Sequence, residues 1–223
     1  MSFKVSLRTM MLGMVLGFTP ALGGCATAYY GTLEQFGIEK RDLLVERVVK
    51  AAASQEDAKE EFASALEAFR SVVDVDGGEL EATYDRLSKA YEKSEAEAER
   101  VRTRIKDVQI VSKDLFKEWR KELDQYSSAS LRTESERQLR QTETRYEELE
   151  DKMLKASASM DPVLAVFKDR VLFLKHNLNA RAIAALEGES AQIEADVAAL
   201  IADMERSIAE ADAFIAEMRG GTA

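Results

Sequence analysis

Apolar positions three and four residues apart run through most of this chain, and the few places where the pattern stops divide it into elements. From near Ile38 to about Asp74, one stripe carries Val45, Val48, Ala52, Phe62, Leu66, Phe69 and Val73, with Gln55 and Lys59 as its polar interruption. That spacing predicts a first helix. Asp-Val-Asp-Gly-Gly at 74–78 ends it, because glycine supplies the left-handed backbone that stops a helix. The second stripe is the clearest: Leu80, Tyr84, Leu87, Tyr91, Ser94, Ala98, Val101, Ile105, Val108, Ser112, Leu115 and Trp119. Such a run predicts a coiled-coil seam, with the small Ser94, Ala98 and Ser112 letting neighbouring helices approach closely. After Trp119 the register shifts to Leu123 and Tyr126. The stripe is lost over residues 127–135, and Leu139, Tyr146, Met153 and Met160 restore it at intervals of seven. The interruption reads as a kink or stutter within one long helix, with a true loop as the alternative.

Ser-Met-Asp-Pro at 159–162 reads as a sharp turn, with Asp161 as N-cap and Pro162 at the first helical position. A third helix then carries Leu164, Phe167, Val171, Leu174, Leu178, Ile193, Val197, Leu200, Met204, Ile208, Ala211, Ile215 and Met218, weakened at Gly188 and ended by Gly220-Gly221. No alternating β-branched pattern predicts a strand. The expected fold is all-α, an elongated antiparallel coiled-coil bundle of about three long helices with the middle one longest and kinked. Their lengths come to roughly 55, 120 and 87 Å at 1.5 Å per residue. A middle helix that outruns its neighbours leaves part of its seam uncovered, which predicts a homodimer.

The N-terminus follows a different pattern. Lys4 and Arg8 precede a run from Met10 to Leu22 that is apolar or small except for Thr19 and Pro20. The run is shorter than the ~20 residues of a membrane-spanning helix and matches a secretory leader. It ends Leu22-Gly23-Gly24-Cys25, around the only cysteine of the chain. This resembles a bacterial lipoprotein signal: small residues let the backbone enter a peptidase groove, and the thiol takes up a diacylglyceryl group as a thioether. The resemblance implies a leader over 1–24, lipidation at Cys25, a tether over 25–37 and one helical domain over 38–223. Ala26, where an aspartate would retain such a protein at the inner membrane, implies the periplasmic face of the outer membrane. Lipidation would also leave the mature chain without a free thiol.

Charge then narrows the partners. Removing Lys4 and Arg8 with the leader takes the 31 Lys and Arg to 29 against 41 Asp and Glu, and the formal charge from −10 to −12. So acidic a chain argues against nucleic acid as a partner. Candidate chemistry is sparse. The chain has a single histidine, His176, and no phosphate-binding glycine loop, His-Glu metal motif or nucleophile elbow. No catalytic residue, metal site or cofactor is expected, and the chain is read as non-enzymatic. One polar cluster stands out in an apolar stretch: Lys175, His176, Asn177, Asn179 and Arg181. It has two readings, a patch that binds a partner or polar seam residues that fix helix register. Register is favoured for Asn177, and Asn179 is left open.

Three segments, EKRDLLVERV from Glu39, DLFKEWRKELDQYSSASLR from Asp114 and VLFLKHNLNARAIAAL from Val171, resemble a family of bacterial envelope lipoproteins known only as a domain of unknown function. The resemblance implies a helical coiled coil in the envelope and carries no activity with it. In outline, three long kinked helices are also similar to BAR modules, although those present a basic face. The expected function is a lipid-anchored scaffold, tether or membrane-shaping rod; the alternative is a periplasmic adaptor that regulates an envelope enzyme by protein contact. A continuous basic strip among Arg100, Arg102, Arg104, Lys106, Lys113, Lys117, Arg120 and Lys121 would favour direct membrane contact, and scattered charge would favour a protein partner.

Overall fold

A computed structural model describes residues 39–73, 80–177, 185–188 and 190–220. The leader, the tether and the Asp74–Gly78 turn lie outside the described residues. From Glu39 onward the chain forms one compact unit. Within it, every described segment is helical or a short turn, and none is a strand. We label the long helices α1 (Lys40–Val73), α2 (Leu80–Glu122), α3 (Ala129–His176) and α4 (Ser190–Gly220), with a single 3-10 turn at Leu123–Gln125. The described residues therefore hold five helical elements where three helices were expected.

The difference has two sources. The first is the polar stretch after Trp119. Leu123–Gln125 tightens into a 3-10 turn, Tyr126 is extended, and the Ser128 hydroxyl caps α3 by accepting from the Leu131 amide at 3.4 Å. Trp119 Nε1 donates to Ser135 Oγ at 2.8 Å, tying the two sides of the turn together. The chain doubles back here, so the kinked middle helix is two antiparallel helices. The likeness to three-helix BAR modules falls with it. Serine drives this local choice because its side chain satisfies backbone groups that a continuing helix would use.

The second source is the opposite behaviour of Asp161 and Pro162, which stand inside α3 and do not start a helix. Proline removes one intrahelical donor, whose acceptor would be the carbonyl of Ala158. Pro162 and Ala158 are both exposed, so water can serve that carbonyl. Asp161, instead of capping, pairs with Arg102 of α2. The buried stripe of Met153, Ala156, Met160, Val163, Phe167, Val171 and Leu174 continues through the proline without a slip. The expected third helix is in turn divided, because α3 stops at His176 and Gly188 lies in a turn before α4.

Side-chain bonds give the arrangement. Lys40 reaches Glu118 at 2.6 Å and Ser94 Oγ donates to the Glu61 carbonyl at 3.3 Å, so α1 and α2 run antiparallel. Gln109 to Glu150 at 2.8 Å and Arg102 to Asp161 do the same for α2 and α3. Arg145 to Glu217 at 3.1 Å and Lys155 to Asp203 at 3.2 Å align α3 with α4. Arg41 to the Met218 carbonyl at 2.5 Å and Arg70 to Glu194 at 2.9 Å close α4 onto α1. Each long helix packs on two neighbours.

Burial fixes the inner faces. In α1 it selects Leu44, Val48, Ala51, Gln55, Ala58, Phe62, Ala65, Phe69 and Val72, an unbroken alternation of four and three. Leu66 and Val73, assigned to the stripe from the sequence, are only half-buried. Gln55 does not interrupt the seam but occupies it, at 0 % exposure. Lys59 lies on the flank, paired with Glu56 at 2.8 Å. In α4 the inner positions are Ile193, Val197, Leu200, Met204, Ser207, Ala211, Phe214, Ile215 and Met218, with Ser207 taking the place expected of Ile208 and Phe214 joining Ile215. Phe116, Tyr146 and Phe214 meet edge-to-face, with centroids 5.5 and 6.4 Å apart, joining α2, α3 and α4.

Candidate functional site

Three regions bring together groups that could meet a partner. The first is the end of α3. Lys175 and His176 are exposed in its last turn. Asn177 is not a seam residue. Its amide donates from Nδ2 to the Phe173 carbonyl at 2.9 Å, and its backbone N–H donates to the Leu174 carbonyl at 3.1 Å. Those are carbonyls left over at a helix C-terminus, so Asn177 closes the helix and does not set its register. Leu172 and Phe173, at 48 % and 38 % exposure, border these two side chains. Asn179 and Arg181 lie outside the described residues, as do Leu22, Gly23, Gly24 and Cys25.

The second region is a cleft of about 210 Å³ where α1, α2, α3 and α4 meet, lined by Arg41, Trp119, Arg137, Arg145, Phe214 and Glu217 among others. Three guanidiniums in one cleft suggest an anion site, but most of their donors are already committed. Arg145 is shared by Glu217 at 3.1 Å, Glu210 at 3.2 Å and Glu148. Arg137 is held by Glu134 and by Gln141 at 3.0 Å. Arg41 donates to the Met218 carbonyl, and its Nε is buried without a partner among the described residues. The cleft thus ties helix ends together more than it offers free charge. The sequence held a signal for it: Arg137, Gln141 and Arg145 repeat at intervals of four, which puts them on one face of a helix.

The third region is the outer face of α2. The basic residues picked out along it separate into two kinds. Arg100 pairs with Glu97 at 2.8 Å, Arg102 with Asp161, Arg104 with Asp107 at 3.5 Å, and Arg120 with Glu143. Lys106, Lys113, Lys117 and Lys121 are exposed and have no ion-pair partner among the described residues. The strip is therefore continuous in its lysines and neutralised in its arginines.

Over residues 29–218 the sequence matches the family described as "Protein of unknown function (DUF2959)". The chain belongs to that family. No curated protein and no solved structure matches it. The family match spans all three regions and begins four residues after Cys25. Among the described residues of this family member, no group of three or more His, Cys, Asp and Glu side chains is placed to hold a metal ion. No described helix is long and apolar enough to cross a membrane.

Proposed function

We propose that this family member is a lipid-anchored protein of the bacterial envelope whose helical unit acts, without catalysis or cofactor, as a scaffold or tether. The observation that carries the reading is Leu22-Gly23-Gly24-Cys25, preceded by a basic and then apolar leader. The family match over 29–218 supports it, because the leader and the acceptor cysteine then lie outside the matched region. The four-three alternation on the inner faces of α1 and α4 is the spacing of coiled-coil packing. Such packing gives a stiff body whose free surfaces are helix faces. Acyl chains contribute about 0.8 kcal/mol per buried methylene, so a diacylglyceryl group with further acylation anchors permanently. Ala26 favours the periplasmic face of the outer membrane. Labelling cells with a radioactive fatty acid tests the anchor: the wild-type chain should take up label and Cys25→Ser should not. Equal labelling of the two would sink the reading.

The adaptor reading keeps one observation in its favour. Leu172 and Phe173 are exposed beside Lys175 and His176, an amphipathic patch of the kind protein contacts use. Leu172→Ser with Phe173→Ser should leave thermal stability nearly unchanged and remove site-specific cross-links from position 176 to an envelope protein. Cross-links that persist in the double variant would end that reading.

A further inference from the structure

We propose that the outward face of α2 from Lys106 to Lys121 is a contact surface for anionic phospholipid headgroups of the membrane that holds the anchor. The proposal rests on the lipid-anchored reading above. Lys106, Ile110, Lys113, Lys117 and Lys121 are separated by four, three, four and four residues. At about 100° per residue they share an arc of roughly 80°, and at 1.5 Å per residue they extend over roughly 23 Å. All five are exposed, Ile110 at 57 %.

Pairing makes this face different from the rest of an acidic chain. On the α1 side of the row, Asp107 is bound by Arg104 and Glu118 by Lys40 at 2.6 Å. Only Asp114 stands on that shoulder without a basic partner among the described residues. The four ammonium groups therefore set the local field, and at physiological salt charges beyond ~8 Å are largely screened. The net charge of −10 opposes approach from a distance but does not cancel the row at contact.

The chemistry points to lipid and away from an acidic protein. Lysine is a point charge on a flexible stem, without the fixed fork by which arginine grips a carboxylate. The arginines of this helix are occupied, and the lysines form a straight row along the helix. Such a row suits a surface of mobile anionic headgroups, over which lysine stems can lie flat around the exposed Ile110.

Position agrees. The Lys40–Glu118 pair sets the first turn of α1 beside Lys117 and Lys121. Fourteen residues, 26–39, separate it from Cys25. A chain of that length reaches at most about 50 Å. Each lysine raises partition onto an anionic leaflet about five-fold, so four give on the order of several hundred-fold. That is weak for a free protein but sufficient for a second contact beside an anchor, where binding is intramolecular.

The test uses the full chain carrying Cys25→Ser, which cannot be acylated, sedimented with vesicles of phosphatidylcholine alone or with one quarter phosphatidylglycerol. Binding is expected to the mixed vesicles only, and to disappear at high salt. The variant K106Q/K113Q/K117Q/K121Q should bind at least about ten-fold more weakly with an unchanged melting curve, since glutamine keeps the helix. R100Q, which removes a cation paired with Glu97 and leaves the pairs beside the row intact, should bind much as the parent does. Equal binding to both vesicle types, no binding to mixed vesicles at low salt, or an unaffected lysine variant would each overturn the proposal. So would soluble polyglutamate competing as effectively as the vesicles, because the surface would then recognise acidic chains generally. Fatty-acid labelling of the wild-type chain is independent of all four, so failure of the anchor and failure of the lysine face are distinguishable.

Discussion

Gln55 is the residue whose replacement says most about what holds the helical unit together. It occupies an inner position of α1 at 0 % exposure, and neither its Nε2 nor its Oε1 has a hydrogen-bond partner among the described residues. The Lys59–Glu205 and Arg41–Met218 contacts set it level with Ser207 of α4, whose hydroxyl is likewise buried and unpartnered. An amide buried without partners costs about 1–3 kcal/mol on mutational scales. Gln55→Leu keeps the side-chain volume close and removes that cost, so the expected gain is about 1–3 kcal/mol. For a unit of this size each kcal/mol moves the melting temperature about 2–4 °C, giving a rise of roughly 2–12 °C. Urea denaturation of the chain with Cys25→Ser, followed by circular dichroism, should show a higher midpoint at unchanged slope. Gln55→Ala should fall below the leucine variant, because it leaves a cavity. A lone polar residue in a seam earns its place by aligning helices, so the leucine variant should also tolerate wrong association, visible as extra species in light scattering. A leucine variant less stable than wild type would refute the reasoning, since the amide must then have a partner that stabilises the fold.

Three further outcomes follow from the packing and electrostatics. Burial pushes the Tyr146 phenol up to about 12; its neutral form is held in the folded state, so stability present below pH 10 should be lost as pH rises toward that value, and absorbance titration should show one late tyrosine that Tyr146→Phe removes. Burial works against the charged form of Asp203, but Arg206 and Lys155 outweigh it and hold the carboxyl below its ordinary 3.8. Asp203→Asn should therefore cost about 0.5–1 kcal/mol at neutral pH, in thermal melts whose gap from wild type closes as pH falls through the lowered value. Because α2 and α3 cover one another, light scattering of the chain with Cys25→Ser should give the mass of one chain; a stable dimer would mean that an outer face, and no leftover seam, joins two copies.

The sequence made helix content readable because the four-three spacing is a property of side chains alone. It was less informative about where helices stop. Residues 127–135 and Asp161-Pro162 both carry breaker signals of similar strength, yet the chain turns at the first and runs through the second. What decides is partly local and partly tertiary: Ser128 caps the next helix and Trp119 reaches Ser135 across the turn, whereas Pro162 stands on an exposed face with apolar neighbours inward. Gln55 illustrates the same limit. Polarity marked it as a gap in the stripe, and only the position of α4 shows that it faces inward. The Arg145 cluster was out of reach for a related reason, since its carboxylates come from Glu148 on its own helix and from Glu210 and Glu217 on α4.

The turn at residues 123–128 also changes where function is to be sought. With one long middle helix, an uncovered seam would be the interaction surface, and its partner a second copy. With α2 and α3 paired, the apolar seams are consumed within the chain, and what remains outside is mostly charge, with a few exposed apolar side chains such as Ile110, Leu172 and Phe173. Most of that charge is spent in pairs between or along helices, as at Arg70 with Glu194 and Arg102 with Asp161. Exposed pairs of this kind contribute little stability each, but they neutralise the surface they cover. The lysines at 106, 113, 117 and 121 escape that neutralisation as one row, in a chain with ten more acids than bases. An acidic protein held at a membrane would otherwise be pushed away from anionic lipid. On the proposed anchor, the lysine row would turn that general repulsion into a preferred orientation, with α2 toward the bilayer and the patch at the end of α3 left free for contact.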